Sequence, residues 1–431
     1  LYPPRLPLLS LDYKPLKGSY LIIIIIIIII IISNIFGLPC SNMESLTSLL
    51  YSCILLWFVT MIDPIFASEH CDFPAIFNFG DSNSDTGGLA SAFPVFLTPP
   101  YGETYFHEPA GRFSDGRLII DFIAKSFELP YLSAYLNSLG TKFDHGANFA
   151  TAASTIRLPN RIIPGGGFSP FYLDIQYTQF VRFKSVYETT RKRSGKTHAQ
   201  TWLMPKDEDF KRALYTFDIG QNDLGEGFFA NNTSIQDVNA SVPDIVNSFS
   251  TNFKNIYNIS GGRSFWIHNT GPIGCLPYIL ANFPSAERDE VGCAKPFNEV
   301  AQYFNYVLKQ AVVQLRKDFP LAAITYVDVY SVKYSLFTEP HKYGFELPLV
   351  ACCGYGGKYN YSDSVGCGGT IIVNGSQIIV GSCGRVSVRV NWDGIHYTEA
   401  ANKYVFDKIS TGAFSDPPLP LRRACYKSSV Y

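Results

Sequence analysis

The sequence predicts an α/β fold in which helices cover both faces of a parallel sheet. Short apolar runs have the length and composition of buried strands at residues 75–79, 213–219, 263–269 and 322–329. Stretches of helical periodicity alternate with these runs at about residues 118–127, 175–190, 297–317 and 398–410. Strands that alternate with helices form right-handed βαβ units, and such units build a parallel sheet.

Polar residues follow two of these strands at the point where each strand ends. Gly80, Asp81 and Ser82 come directly after the first strand, and Asn222 follows the strand at 213–219. In open α/β sheets the carboxyl edge is where ligands bind. Ser82 is therefore the candidate nucleophile, and Asn222 can aim its amide into the same cleft.

A carboxylate and an imidazole stand three residues apart near the end of the chain, as Asp393 and His396 in a loop before the last helix. This spacing lets the carboxylate hold Nδ1–H of the imidazole while Nε2 points away. A lone Asp-x-x-His or Gly-x-Asn-Asp is an ordinary turn in most proteins. Each motif is therefore informative only when it occurs together with the others in a fixed order along the chain.

Five segments together resemble the sequence blocks of the plant GDSL esterase/lipases, a family of the SGNH hydrolase superfamily. They are Phe79 to Gly87, the small-residue run 146–155, Gly-Gln-Asn-Asp at 220–223, Gly-Pro-Ile-Gly-Cys-Leu-Pro at 271–277, and the region 390–400. The resemblance extends from about Phe73 to Ile409 and is strongest to the early-nodulin and acetylesterase-like branch.

The resemblance implies a three-layer α/β/α sandwich with a flavodoxin-like parallel sheet, and a serine esterase or lipase that works through an acyl-enzyme. Ser82 would be the nucleophile, His396 the base and Asp393 the acid of the triad. The oxyanion would be held by the N–H groups of Ser82 and Ala153 and by the Asn222 amide.

Ala153 departs from the family pattern, because our alignment places it where the family has glycine. Alanine keeps the N–H donor, but a positive φ at this position would be strained. This substitution supports one alternative to an active esterase, a weakly catalytic, glycosylated binding or defence protein. A second alternative to hydrolysis of acylated glycans, glycosides or lipids is acyl transfer to a hydroxyl through the same triad.

The first part of the chain is not expected to belong to the fold. Residues 1–42 contain the isoleucine run Ile22 to Ile32, and we interpret them as translated upstream sequence. Residues 43–67, which begin at Met43, have the apolar segment and small final residues of a signal peptide cleaved after Ala67. Residues 68–431 are expected to form a single domain.

Composition narrows the classes of partner and cofactor. A net charge of −1 with 16% charged residues gives no indication of a nucleic-acid partner. The chain has neither a Cys-x-x-Cys pair nor a phosphate-cradling glycine motif, so we expect no metal and no cofactor. The expected partner is a small-molecule or glycan ester, and we expect no stable membrane anchor in the mature chain.

Eight cysteines follow the expected cleavage site, an even number that suggests disulfides in an extracellular protein of the cell wall or apoplast. The region 351–384 is expected to be a disulfide-pinned excursion over the cleft. Six sequons support the prediction of secretion: Asn231, Asn232, Asn239, Asn258, Asn360 and Asn374.

Two smaller predictions concern side chains near the motifs. Arg112 and Asp115 are expected to form a salt bridge within a loop. His268, at the end of a strand, is expected to be a core or edge residue and not a catalyst.

Overall fold

A six-stranded sheet is the centre of the part of the chain that the structure describes. The structure is a computed structural model that describes residues 70–93, 97–163, 167–194, 203–229 and 234–426. The strands of the sheet are β1 (Ile76–Gly80), β2 (Gly146–Asn148), β3 (Leu214–Asp218), β4 (Ser264–His268), β5 (Ala323–Val327) and, later in the chain, β8 (Ser415–Asp416). Their spatial order is β2-β1-β3-β4-β5-β8.

All neighbours from β2 to β5 pair in parallel, and β8 adds a short antiparallel edge. The order of the five parallel strands is that of flavodoxin-like sheets, which confirms the predicted fold class. Such a sheet changes direction between β1 and β3, and ligands bind in the crevice at this switch point. The polar turns after β1 and β3 lie there.

Ten helices surround the sheet within the described residues. They are α1 (Gly88–Ala92), α2 (Ile119–Ser126), α3 (Leu173–Ser194), α4 (Asp207–Arg212), α5 (Gln221–Phe229), α6 (Ile235–Ser260), α7 (Pro277–Asn282), α8 (Lys295–Asp318), α9 (Val329–Thr338) and α10 (Glu399–Ile409). The helices form two groups. In the first group α6 contacts both α3 and α8, and in the second α10 contacts both α2 and α9. These groups are the outer layers of a three-layer sandwich.

The central strands are buried on both faces, and apolar and aromatic residues predominate in them. Phe77 of β1 stacks on Phe210 of α4 at 5.0 Å between ring centroids. Phe79 stacks on Phe217 of β3 at 5.3 Å. Such aromatic pairs are worth about 0.5–1.5 kcal/mol beyond their buried area, and they hold the two strands that carry the polar turns.

Four disulfides cross-link the fold within the described residues: Cys71–Cys425, Cys275–Cys293, Cys352–Cys383 and Cys353–Cys367. The last two pin the excursion predicted at 351–384, which contains the antiparallel hairpin of β6 (Thr370–Val373) and β7 (Ser376–Ile379). The excursion lies against the segment that precedes Asp393, because the N–H groups of Cys352 and Cys353 donate to the carbonyls of Asn391 and Trp392.

Several elements lack a counterpart in the sequence analysis, among them the helices α6 and α9 and the strand β8. In α6 the apolar stripe Val238, Val242, Ile245, Phe249 and Phe253 is buried at helical spacing. Asn, Ser and Thr residues and the internal Pro243 disfavour a helix there by intrinsic propensity. Burial of that stripe outweighs the local preference.

None of the helices in the described ranges is long and apolar enough to cross a membrane. The predicted upstream segment 1–42 and the predicted signal peptide 43–67 lie outside the described residues.

Candidate active site

Ser82 lies in a tight turn at the carboxyl end of β1. The N–H of Asp81 donates to the carbonyl of Asp218 at 3.1 Å, so the turn is tied to the end of β3. Gly80 is required at this approach, because a Cβ there would lie 2.6 Å from the same carbonyl oxygen. The N–H of Asn83 donates to Asp81 Oδ1 at 2.9 Å and closes the turn. Ser82 is 5% exposed.

Asp393 and His396 form the hydrogen-bonded pair that their spacing predicts. His396 Nδ1 lies 2.7 Å from Asp393 Oδ2. Asp393 Oδ1 accepts hydrogen bonds from the N–H groups of Ile395 and His396 at 3.0 and 2.9 Å. Burial opposes ionisation of this carboxyl, but the charge and hydrogen bond of His396 and the two N–H donors outweigh burial and lower the pKa of Asp393. The pair is therefore a carboxylate that fixes the orientation of an imidazole.

His396 lies close enough to the turn of Ser82 for its charge to act on Asp81. Burial and the Asp218 carboxylate raise the pKa of Asp81 to about 7, and the charge of His396 partly offsets this rise because it lowers the pKa of Asp81. The Phe113 ring packs beside the imidazole at 5.3 Å between centroids. Among the described residues no hydrogen bond joins Ser82 to His396, and none is made by His396 Nε2.

Ala153 has a left-handed backbone with φ 59°, which is the conformation that favours glycine. The loop around it is closely tied, since the N–H of Ser154 donates to Thr151 O at 3.1 Å and that of Ser169 donates to Ala153 O at 2.8 Å. Within the described chain, the N–H groups of Ala153 and Ser82 have no hydrogen-bond acceptor. Both are thus available as donors.

Asn222 is the second residue of α5, and Gly220, with φ 127°, makes the sharp entry into that helix. Its Nδ2 donates to the carbonyl of Ser154 at 2.9 Å. One amide N–H of Asn222 is thus bound to the loop that contains Ala153, and the other has no acceptor among the described residues. The structure brings Asn222 and Ala153 together.

Two buried carboxylates to which the sequence analysis gave no role bind the loop of Ala153, one before and one after this residue in the sequence. Asp85 Oδ2 accepts a hydrogen bond from the N–H of Ala152 at 2.7 Å. Asp223 accepts from the N–H groups of Ile156 and Arg157 at 2.8 and 3.2 Å. Burial raises the pKa of Asp223 to about 7, against the effect of these donors. A strained residue persists where its surroundings fix its conformation, and these carboxylates do so for Ala153.

A buried charged cluster lies behind the turn of Ser82. His268 Nδ1 contacts Asp218 Oδ2 at 3.1 Å, and Trp266 Nε1 donates to His268 Nε2 at 3.1 Å. Burial lowers the pKa of the Lys333 ammonium, which is attracted by Asp218 and Asp81 and lies 4.4 Å from the centre of the Tyr397 ring. His268 is 4% exposed, so the prediction that it is a core residue is confirmed.

The predicted salt bridge between Arg112 and Asp115 is wrong. Arg112 instead binds Asp121 with both arms of its guanidinium, Nε to Oδ2 at 2.9 Å and Nη2 to Oδ1 at 2.7 Å. Asp115 accepts the N–H of Glu399 at 2.7 Å at the start of α10. The two side chains therefore serve different helices, since Asp121 lies in the first turn of α2.

The six sequons have different surroundings. Asn258 on α6 and Asn374 at the tip of the β6–β7 hairpin are exposed, and Asn239 is half-buried. Asn360 donates its amide to Ala351 O at 3.0 Å. Asn231 and Asn232 lie outside the described residues. Glycosylation at these positions stays a prediction.

Comparison with known proteins decides the family. A family model described as GDSL-like Lipase/Acylhydrolase matches residues 76–409. The chain belongs to this family. It is 64% identical over 376 residues to an esterase of Hevea brasiliensis, covering 87% of this chain and 94% of the relative. It is 62% identical over 364 residues to the GDSL esterase/lipase ENOD8 of Medicago truncatula, covering 84% and 93%.

A third relative of this GDSL-like chain is named for a different enzymatic activity. It is Alpha-L-fucosidase 3 of Arabidopsis thaliana, 52% identical over 367 residues, covering 84% of this chain and 97% of the relative. The family and its esterase members identify the chain as a hydrolase of ester bonds.

Proposed function

We propose that the protein is a secreted serine esterase in which Ser82, His396 and Asp393 form the catalytic triad. The observation that supports this most directly is the bond of 2.7 Å between His396 Nδ1 and Asp393 Oδ2. This bond leaves Nε2 of the imidazole available to take a proton, and the charge of His396 acts on Asp81, the residue next to Ser82 at the carboxyl edge of β1.

In the proposed mechanism, His396 Nε2 takes the proton of Ser82 Oγ as that oxygen attacks the ester carbonyl carbon. The tetrahedral intermediate collapses when the protonated imidazole gives its proton to the leaving alcohol, which departs and leaves an acyl-serine. Water then attacks the acyl-serine with the imidazole as base, and the carboxylic acid is released. Asp393 remains ionised throughout and stabilises the imidazolium.

The negative charge on the carbonyl oxygen would be held by the N–H groups of Ser82 and Ala153 and by Asn222. The two backbone donors have no partner elsewhere in the described chain, which supports this role. Removal of one such donor typically costs about 10²–10³ in rate. Because Ala153 keeps its N–H in a left-handed backbone, the alanine at the family's glycine position still supplies the donor that an enzyme would need.

Secretion is the second part of the proposal. All eight cysteines after residue 67 are paired in the four disulfides, and such pairing is typical of oxidising compartments. The substrate class that we propose is a small-molecule or carbohydrate carboxylic ester that meets the enzyme outside the cell.

The decisive experiment is hydrolysis of p-nitrophenyl acetate and butyrate by the purified protein beside Ser82→Ala and His396→Ala. Each variant should lose about 10³-fold or more in kcat. Ser91→Ala is the matched control, because Ser91 is an exposed serine on α1. An activity that Ser82→Ala leaves intact would refute the triad.

Two additions to this assay separate the other functions. An acceptor alcohol added to the reaction yields a transesterified product if the acyl-enzyme transfers to hydroxyls in preference to water. Hydrolysis of p-nitrophenyl α-L-fucoside tests for the α-L-fucosidase activity after which one relative is named. We expect free acid from the esters and no release of nitrophenol from the fucoside.

A further inference from the structure

Tyr101 makes a hydrogen bond to the same carboxylate oxygen that binds His396. Its hydroxyl donates to Asp393 Oδ2 at 2.9 Å, and His396 Nδ1 lies 2.7 Å from that oxygen. Tyr101 is 8% exposed. The carboxylate therefore has two side-chain donors on Oδ2 and two backbone donors on Oδ1.

The Tyr101 ring is fixed by packing that does not involve its hydroxyl. It makes edge-to-face contacts with Trp392 at 5.9 Å and with Phe113 at 6.3 Å between centroids. Tyr101 and Trp392 also belong to one buried cluster with Cys352 and Cys353, each of which forms a disulfide. A phenylalanine at position 101 would keep these contacts and lose only the hydrogen bond.

Three titratable groups besides the pair itself act on Asp393 or His396. They are Tyr101 and Tyr361, which face Asp393, and Asp81, which faces His396. Burial and the neighbouring carboxylate raise the pKa of Tyr101 well above its ordinary value, so its hydroxyl stays a neutral donor. Tyr361 gives its own hydroxyl to Asp363 at 3.0 Å. Tyr101 is thus the tyrosine whose proton is directed at Asp393.

We propose that Tyr101 is a positioning residue of the triad that fixes Asp393 Oδ2 and limits the negative charge which this oxygen presents to His396. The inference rests on the proposed function of the triad. An O–H donor on Oδ2 takes up part of the charge that would otherwise stabilise the imidazolium. The imidazole is then free to act as base at lower pH, so Tyr101 extends activity toward acid.

The test is the pH profile of kcat/KM for ester hydrolysis by the parent and by Tyr101→Phe. Loss of the hydroxyl should move the acid-side midpoint of the profile upward by roughly 0.5 to 1 pH unit. Tyr215→Phe is the matched control. Its hydroxyl is also buried and donates to a backbone carbonyl, that of Phe210 at 2.8 Å, away from the triad. This control should leave the midpoint in place.

A purely structural role would scale kcat at every pH and leave the midpoint unchanged, and that result would overturn the proposal. Site-specific 3-fluorotyrosine at position 101 gives an independent test if Tyr101→Phe folds poorly. Its hydroxyl is a stronger donor, so the midpoint should move downward. A parent whose activity survives Ser82→Ala would instead refute the proposed triad, so the two failures are distinguishable.

Discussion

Asp223 Oδ2 accepts a hydrogen bond of 2.8 Å from the N–H of Ile156. The helix that provides the Asn222 amide therefore also holds the loop that contains Ala153. Two of the three donors that we propose for the oxyanion, the Asn222 amide and the N–H of Ala153, are thus fixed relative to each other by the Asp223 carboxylate. Displacement of this helix would move both donors together.

The charge of Asp223 should make stability depend on pH. Burial raises the pKa of this carboxyl to about 7, whereas an unfolded aspartate titrates near ~3.9. Between about pH 4 and pH 7 the folded state keeps a proton that the unfolded state has released, so this contribution is full below pH 4 and is lost as pH rises through 7.

Asp223→Asn replaces the titratable carboxyl by an amide that does not ionise, so the pH dependence that Asp223 causes should disappear. We therefore expect the free energy of unfolding of the parent to fall relative to the variant by up to about 1.4 kcal/mol per pH unit over this range. Urea unfolding at four pH values between 4.5 and 7.5 measures the difference. Asp244→Asn, an exposed carboxylate on α6, should run parallel to the parent. Parallel behaviour of Asp223→Asn would contradict the prediction.

Ala153→Gly should stabilise the fold. Relief of a left-handed backbone at a residue with a Cβ is worth about 1–2 kcal/mol, and the greater freedom of glycine in the unfolded chain offsets about half of it. The expected net gain is about 0.5–1 kcal/mol, with kcat within a few-fold of the parent because the N–H donor remains. Ala152→Gly, which has no positive φ to relieve, should destabilise by a similar amount. Thermal unfolding of the pair tests the sign.

Arg112→Lys should cost about 2–3 kcal/mol of stability. A lysine cannot reproduce the two-armed contact with Asp121, and the carboxylate would stay buried with one partner fewer. Arg212→Lys is the control, because its ion pair with Asp72 is exposed and should contribute less than about 0.5 kcal/mol. Chemical denaturation midpoints measure both changes, and equal losses would argue against the bidentate pair.

Removal of two different disulfides should affect stability and activity to different extents. Cys71–Cys425 spans 354 residues and Cys353–Cys367 spans 14, so chain entropy assigns about 6 and about 3 kcal/mol to them. Only the shorter bridge belongs to the cluster that contains Tyr101 and Trp392. We expect Cys71→Ala/Cys425→Ala to lower the unfolding midpoint more, and Cys353→Ala/Cys367→Ala to lower kcat/KM more. The reverse order of either effect would be inconsistent with this arrangement.

Most of the sheet and the positions of the motifs could be predicted from the sequence, because both depend on local pattern. The runs that became β1 and β3 are mostly apolar and are followed by Gly-Asp and Gly-Gln turns. The Asp393–His396 bond needs only a three-residue spacing in one loop. These features are decided within a few residues of each other.

The contacts that the sequence did not reveal join side chains far apart in the chain. Tyr101 and Asp393 are separated by 292 residues, and Asp85 and Ala152 by 67. Arg112 could be matched with either of two nearby acids, and only packing of α2 decides for Asp121. Local pattern carries no information about such choices, because they are settled by which elements meet.

The bridge between Cys71 and Cys425 closes residues 71–425 into a covalent ring, since each cysteine lies at one end of the sandwich chain and their Cα atoms are 5.7 Å apart. A protease that cuts the exposed β6–β7 hairpin would release no fragment, because the Cys352–Cys383 bridge spans the cut and the Cys71–Cys425 bridge holds the two outer parts of the chain together. The nicked protein should migrate as one species on a gel until a reductant is added. Proteolytic nicking would therefore leave the apparent mass unchanged under non-reducing conditions and would become visible only after reduction of the disulfides.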